Sequence, residues 1–422
     1  KENFDSNYNL GKIYFELKNI EKSKLFYKKC ISLNPNSINT YLNLAFMDQS
    51  TGDLEGALSN YFRVLEINNK IIRAYYGIYT LDPNLLKLDY LDIIREINNN
   101  TKSNILEKFL SDYLLSKYEK KSNNIKKEIY LLTRSHEACF EQRKNYNLQS
   151  QKYYESIITK FYDKINPINT KLKKGYFDNI VPIFIIGLPR SGSTLVEAII
   201  SSHEKKIPSF GESAFINISL IKQLPANIFS TFENLEKFNL KVDKFEEDIY
   251  KKYFQFSLID KKTVNFIDKS LENFLNIEFI LHVFPKAKFL HCNRNLKDSI
   301  VGIFQNLLPA LSFTHRIKDI VNYIDNYLKI LNYFKKKYPD LIMDVSLEEI
   351  TNNKEKVTKE IFRFCNLDWK PEVLEFYKRK DLDIRTTSNI QIRNKISKYN
   401  SEKYSKYYHI FDKFKNQFDW LK

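Results

Sequence analysis

Cysteine is scarce and scattered in this chain. Cys30, Cys139, Cys292 and Cys365 include no CxxC pair. His136 and Cys139, or His291 and Cys292, have no second pair nearby, so neither a zinc site nor a disulfide framework is indicated. Four isolated thiols fit buried side chains in a reducing compartment such as the cytoplasm. No apolar run approaches the ~18 residues of a membrane helix. The chain begins at Lys1 rather than methionine, which leaves an upstream targeting segment open. Only 9 glycines and 2 tryptophans stand beside abundant Lys, Asn, Ile and Tyr, a bias that AT-rich coding also produces. The formal charge of +16, from 67 basic against 51 acidic residues, therefore counts only as weak support for an anionic ligand. It gives no ground for nucleic-acid binding.

What is present is enough to fold. Hydrophobic residues make up 43% and aromatics 15% of 422 residues, which argues for real cores and for two or three domains. Residues 4 to 80 repeat. Phe4, Ile38 and Ile72 are spaced by 34, and Gly11, Ser23 and Tyr27 fall where Ala45, Ala57 and Tyr61 fall. Small residues let paired helices approach, and the tyrosines fill the gap between repeats. The period resembles the tetratricopeptide repeat (TPR). Such an array binds peptides or serves as a packing or dimer surface. Residues 81–175 read as further helices and a polar linker, KINPINTKLKKGYFDN. From residue 176 short β-branched runs (VPIFIIG, TVNFID, AKFLHC, LIMDV) alternate with helical stretches. That alternation predicts a parallel sheet covered by helices, with ligands at the carboxyl ends of the strands.

The first strand runs into a loop, FIIGLPRSGSTL, with the Gly187-to-Gly192 spacing of a Walker A loop. Ser193 stands where that loop has its lysine, and the nearest cation is Arg190. Backbone N–H groups at a helix start, with hydroxyls from Ser191, Ser193 and Thr194, suit an anion. Asp268 is a poor magnesium ligand on this reading, since Lys269 follows at once. The loop is expected to hold an anion without a metal.

"PRSGSTL" resembles the 5′-phosphosulfate loop of sulfotransferases, which use 3′-phosphoadenosine-5′-phosphosulfate (PAPS). "FIDKSLENF", "FPKAKFLHCNRNLKDSIVG" and "LDIRTTSNIQIRNKI" resemble three further motifs of that family, in the same order. With repeats in front, the chain resembles bacterial TPR-containing sulfotransferases, related to tyrosylprotein sulfotransferases. The implied fold class is α/β: an N-terminal α-helical TPR array followed by a P-loop-like parallel-sheet sulfotransferase domain over 176–422.

The resemblance assigns roles. Pro189, Arg190, Ser191, Gly192, Ser193 and Thr194 would cradle the 5′ end, with Arg190 and Lys269 as cations for the leaving side. Glu212, in "FGESAF", would be the general base; from its position alone it also suits a helix cap. His203 is the weaker candidate base. Ser388 would donate to the sulfuryl group, or bond its own backbone in a turn. Arg294 and Ser299 would grip the 3′-phosphate, with Arg393 and Lys395 as further candidates or ordinary surface charge. The chain departs from the pattern at Gly302, where the family has its phosphate-binding serine, and at Asn295 in place of the aspartate of RDP. The implied activity is sulfuryl transfer from PAPS to a hydroxyl, with peptide tyrosine, glycan, lipid or small alcohol as open acceptors. A peptide acceptor could be held by the array. Two other readings stand beside it: a nucleotide kinase with a variant loop, and a repeat adaptor whose catalytic domain has decayed.

Overall fold

The computed structural model describes residues 3–17, 19–154, 177, 179–223, 242–255, 263–379 and 390–422. The chain forms two compact units. One comprises Lys1–Gln142 with Arg379–Asn394, the other Arg143–Lys378 with Lys395–Lys422. The division does not follow the boundaries near 80 and 175 suggested by composition, because the helices after the repeats pack into the first unit.

That unit contains α1 (Phe4–Glu16), α2 (Ile20–Leu33), α3 (Ile38–Thr51), α4 (Leu54–Ile67), α5 (Ile72–Leu81), α6 (Tyr90–Asn99), α7 (Ile105–Lys121) and α8 (Ile125–Gln142). Helices α1, α3 and α5 begin at Phe4, Ile38 and Ile72, so the 34-residue period is a structural one. Asn3, Asn19 and Asp53 cap α1, α2 and α4 through their side chains, satisfying an N–H that the first turn leaves open. Tyr61 packs among Ala45, Ala57, Val64, Ala74 and Ile78, and Tyr27 beside Phe15, Leu44 and Met47. Helix α7 packs on α5, α6 and α8. Ile390 joins the Tyr61 cluster, which brings the short 390–394 segment back to this unit.

The second unit opens with α9 (Lys144–Lys152). Its sheet has four strands: β1 (Ile183–Gly187), β2 (Ile267–Asp268), β3 (Lys288–Asn293) and β4 (Ile342–Ser346). Each overlaps one of the four runs expected to be extended, with β3 and β4 each running one residue further. The order is β2-β1-β3-β4, and every pairing is parallel. All five residues of β1 are buried, as in a central strand covered on both faces. Helices α10 (Ser193–Ser201), α11 (Phe215–Ile221) and α12 (Val242–Tyr250) lie between β1 and β2 in sequence. Then come α13 (Ile277–Val283), α14 (Leu296–Phe304), α15 (Ile317–Lys337), α16 (Leu347–Asn352) and α17 (Lys354–Phe364). The chain passes from β1 to β2 on one side and then to β3 on the other. The crevice of this sheet type therefore opens between the loops after β1 and β3. All four cysteines are buried, and none of them forms a disulfide. Among the described residues no helix is long and apolar enough to cross a membrane.

The close approach of α5 to Tyr61 is testable. A Cβ on Gly77 would sit 2.2 Å from Tyr61 Cζ, and the phenol is held by Gln49 at 3.2 Å. Gly77→Ala gains about 1 kcal/mol of helix propensity but overpacks at a cost of about 1–3 kcal/mol. We expect a lower urea midpoint; an unchanged or higher one would show that the Tyr61 ring moves freely.

Candidate active site

The loop after β1 is shaped by backbone conformations that few side chains tolerate. Gly187 has φ 148° and Gly192 has φ 90°. A Cβ on Gly187 would lie 2.3 Å from the carbonyl oxygen of Cys292 on β3, so only glycine lets the loop leave the sheet there. Arg190 itself has φ 68°, a left-handed backbone that costs about 1 kcal/mol or more in a non-glycine residue. The loop ends at the start of α10, where Leu195 and Val196 N–H donate to the Gly192 carbonyl. Ser191, Ser193 and Thr194 are buried in this turn. Ser191 Oγ has no hydrogen-bond partner among the described residues.

Arg294 follows β3 and meets this loop. Its Nη1 donates to the Arg190 carbonyl at 3.1 Å, and its Nη2 to Tyr399 Oη at 3.1 Å. Asp298, one helical turn on, lies 3.5 Å from Nη2. The guanidinium also stacks on Tyr404, 5.0 Å from the ring centroid. Arg294 is 9% exposed, and its Nε is buried without a partner among the described residues. Burial alone would lower its pKa; Tyr399, Tyr404 and Asp298 outweigh that and hold it above the ordinary arginine value. Burial would likewise raise the Tyr404 phenol. Lys403, Arg294 and Arg190 outweigh it and hold the phenol below its ordinary value.

Glu212 and Lys269 are brought together by a rudimentary fifth strand. Ser209 bridges Ile267 in parallel, Phe210 N–H donates to the Ile267 carbonyl, and Lys269 N–H to the Gly211 carbonyl. The next residue is Glu212, whose Oε1 accepts from Lys269 Nζ at 2.7 Å. Lys269 is fully buried, while the Glu212 side chain is 54% exposed. On the other side Lys269 faces Glu197 of α10 at 3.7 Å. Burial alone would lower the Lys269 pKa; Glu197 and Glu212 reverse this and hold it above the ordinary lysine value. Glu212 does not cap α11, whose N-cap is Ala214.

Asp268 is occupied, though not by Lys269. It accepts from Ser213 Oγ at 2.8 Å, Tyr253 Oη at 2.5 Å, Ser270 N at 2.8 Å and Asn273 Nδ2 at 3.1 Å. The expected competition from Lys269 is thus replaced by four neutral donors. Among the described residues no group of His, Cys, Asp and Glu is arranged to hold a metal ion.

Other candidates are placed elsewhere. Ser299 is buried and donates to the Asn295 carbonyl of its own helix at 3.1 Å. Arg393 belongs to the helical unit, where Nη1 donates to the Arg379 carbonyl at 2.9 Å and Nη2 to that of Ser50 at 3.3 Å. Exposed Lys395 lies 6.0 Å from the Tyr377 ring centroid. His203 is buried at the end of α10, with Nδ1 accepting from Lys205 N at 3.2 Å. Ser388 lies outside the described residues. Glu197 went unassigned in the sequence, although a single carboxylate in the apolar run LVEAII is a visible signal. Tyr399, Tyr404 and Tyr408 carried none, being 3 of 28 tyrosines.

The two carboxylates around Lys269 differ in burial, so removing the cation and removing Glu212 differ in cost. Lys269→Met leaves Glu197 charged and buried and is expected to cost about 3–5 kcal/mol. Glu212→Gln, at the exposed end, is expected to cost about 1 kcal/mol or less. Adding Glu197→Gln to Lys269→Met recovers most of the loss. Urea unfolding of the full chain measures all three; equal losses for the two single variants would refute the asymmetry.

Residues 182–371 match the model of the sulfotransferase family, and residues 4–37 a tetratricopeptide repeat model. An uncharacterized protein of Aquifex aeolicus is 27% identical over 305 residues, covering 70% of this chain and 39% of that protein. The chain thus spans well under half the length of that relative. Similar solved structures include a sulfotransferase of Mycobacterium tuberculosis, with TM-score 0.33 and 14% identity over 76% of this chain and 96% of that one. A sulfotransferase of Mycobacterium avium gives TM-score 0.32 and 10% identity over 78% and 96%. A sulfotransferase domain from the curacin biosynthetic pathway gives 0.28 and 15% over 56% and 97%. With the lysine-free loop, its strand–loop–helix setting and the family match all falling on one sheet, residues 182–371 are a sulfotransferase-family domain, carried in one chain with a tetratricopeptide repeat.

Proposed function

We propose that the protein transfers a sulfuryl group from PAPS to an acceptor hydroxyl. The observation that carries this reading is the Glu212–Lys269 pair at the β2 end of the family domain. The acceptor oxygen bonds to sulfur, and the sulfur–oxygen bond to the 5′-phosphate breaks. The hydroxyl proton passes to Glu212, and adenosine 3′,5′-bisphosphate leaves. Lys269 holds Glu212 Oε1, leaving Oε2 to accept the proton. The N–H groups of residues 190–194 and the hydroxyls of Ser191, Ser193 and Thr194 would serve the 5′ end beside Pro189, with Arg190 against the leaving charge. One such oriented donor contributes about 3 kcal/mol to a transition state of this kind. Arg294, whose Nε has no partner among the described residues, suits the 3′-phosphate. Ser388 is assigned to the sulfonyl oxygens.

This chemistry asks nothing of Asp268, which its four donors have taken. A kinase reading would need such a carboxylate free for magnesium. Peptide tyrosine is the acceptor to test first, because the repeat unit offers helical surface to a chain partner.

Release of adenosine 3′,5′-bisphosphate from PAPS, with pooled tyrosine peptides, glycans and small alcohols as acceptors, tests the activity. Arg190→Ala is expected to lower kcat by about 100-fold or more. Glu212→Ala keeps the thermal shift given by adenosine 3′,5′-bisphosphate and loses turnover, whereas Arg294→Ala loses the shift. Normal turnover by Glu212→Ala would remove Glu212 as base. A bisphosphate shift without turnover on any acceptor would leave a nucleotide-binding adaptor.

A further inference from the structure

The 3′ end of the proposed nucleotide site differs from the family pattern at Gly302, and the structure shows what stands there instead. A Cβ on Gly302 would lie 3.6 Å from Arg294 Nη1, 3.7 Å from Arg190 Cβ and 4.0 Å from Tyr404 Oη. The Arg294 guanidinium, the Arg190 β-carbon and the Tyr404 hydroxyl therefore surround a position that carries no side chain. A hydroxyl donates to a phosphate oxygen over about 2.6–2.8 Å, so the phenol reaches the ground that a short hydroxyl side chain at 302 would serve.

The surroundings favour an anion. Arg190, Arg294 and Lys403 all act on the Tyr404 phenol. The nearby carboxylate, Asp298, is engaged by Tyr399 Oη and by Tyr408 Oη at 2.6 Å. Its distance to Arg294 is 3.5 Å, so the guanidinium is steadied rather than consumed. Ser299, the other candidate donor, spends its hydroxyl on the Asn295 carbonyl. Tyr404 comes from the C-terminal segment, outside the residues 182–371 that match the family model.

We propose that Tyr404 donates its hydroxyl to the 3′-phosphate monoester of the nucleotide, and so sets the preference for a 3′-phosphorylated nucleotide over its 5′-monophosphate counterpart. This rests on the nucleotide reading above. Tyr404 is a binding and specificity residue here; it takes no part in moving the proton or the sulfuryl group.

Calorimetric titration of the full chain with adenosine 3′,5′-bisphosphate and with 5′-AMP tests it. The unmodified protein is expected to prefer the bisphosphate. Tyr404→Phe keeps the ring against Arg294 and is expected to lose about ten- to hundredfold in bisphosphate affinity, as for a hydrogen bond to a charged group. Its 5′-AMP affinity stays the same, which also shows that the variant is folded. Adding Gly302→Ser to Tyr404→Phe is expected to restore most of the preference. If Tyr404→Phe keeps the full preference, or weakens both nucleotides alike, the assignment of Tyr404 is wrong while the nucleotide site stands. If the unmodified protein binds neither nucleotide, both the site and this assignment fall.

Discussion

One buried ammonium organises the candidate site. Lys269 has no exposed surface and sits between Glu197 and Glu212. A charge taken wholly out of water is tolerable only when opposite charge and hydrogen bonds replace the solvent. Glu197 comes from the helix that follows the phosphate-type loop, Lys269 from the end of β2, and Glu212 from the segment paired beside β2. The ammonium thus ties three separate stretches of chain. It also holds an exposed carboxylate in one place, which is what a proton acceptor at the mouth of a site requires.

The loop after β1 makes the complementary half. The loop has no lysine, and the anion role proposed for it rests on two arginines instead. Arg190 lies within the loop, in a left-handed backbone, and Arg294 reaches across from the end of β3 to hold the Arg190 carbonyl. A strained non-glycine residue survives where its surroundings over-determine it. The fixed carbonyl and the absence of room at Gly187 supply that constraint.

Much of this was legible in the sequence, for identifiable reasons. The repeat showed because helix pairing recurs in register, so Phe4, Ile38 and Ile72 mark three helix starts. The four strands showed because buried parallel strands are short apolar β-branched runs, although only Ile267 and Asp268 of TVNFID pair as strand. Residues that follow a strand directly, such as Lys269 and Arg294, inherit their place from the sheet. Residues placed by distant contacts do not. Arg393 lies within a family-like motif, yet its guanidinium answers to Ser50, 343 residues earlier. Ser299 matched a residue type, but a serine in the first turn of a helix can bond its own backbone. Tyr404 stood in a tyrosine-rich tail with nothing to mark it.

The chain leaves the helical unit after Gln142, returns to it for Arg379–Asn394, and departs again for Lys395–Lys422. No single cut separates the two units. A fragment ending near residue 378 would keep the sheet and lose every tyrosine that surrounds Arg294 and Asp298. A fragment starting at residue 143 would orphan Ile390 and Arg393 from the helices they pack on. For the ribosome, too, the consequence is one of timing: the repeats emerge first, and the sheet emerges before residues 395–422 supply the tyrosines that surround Arg294 and Asp298.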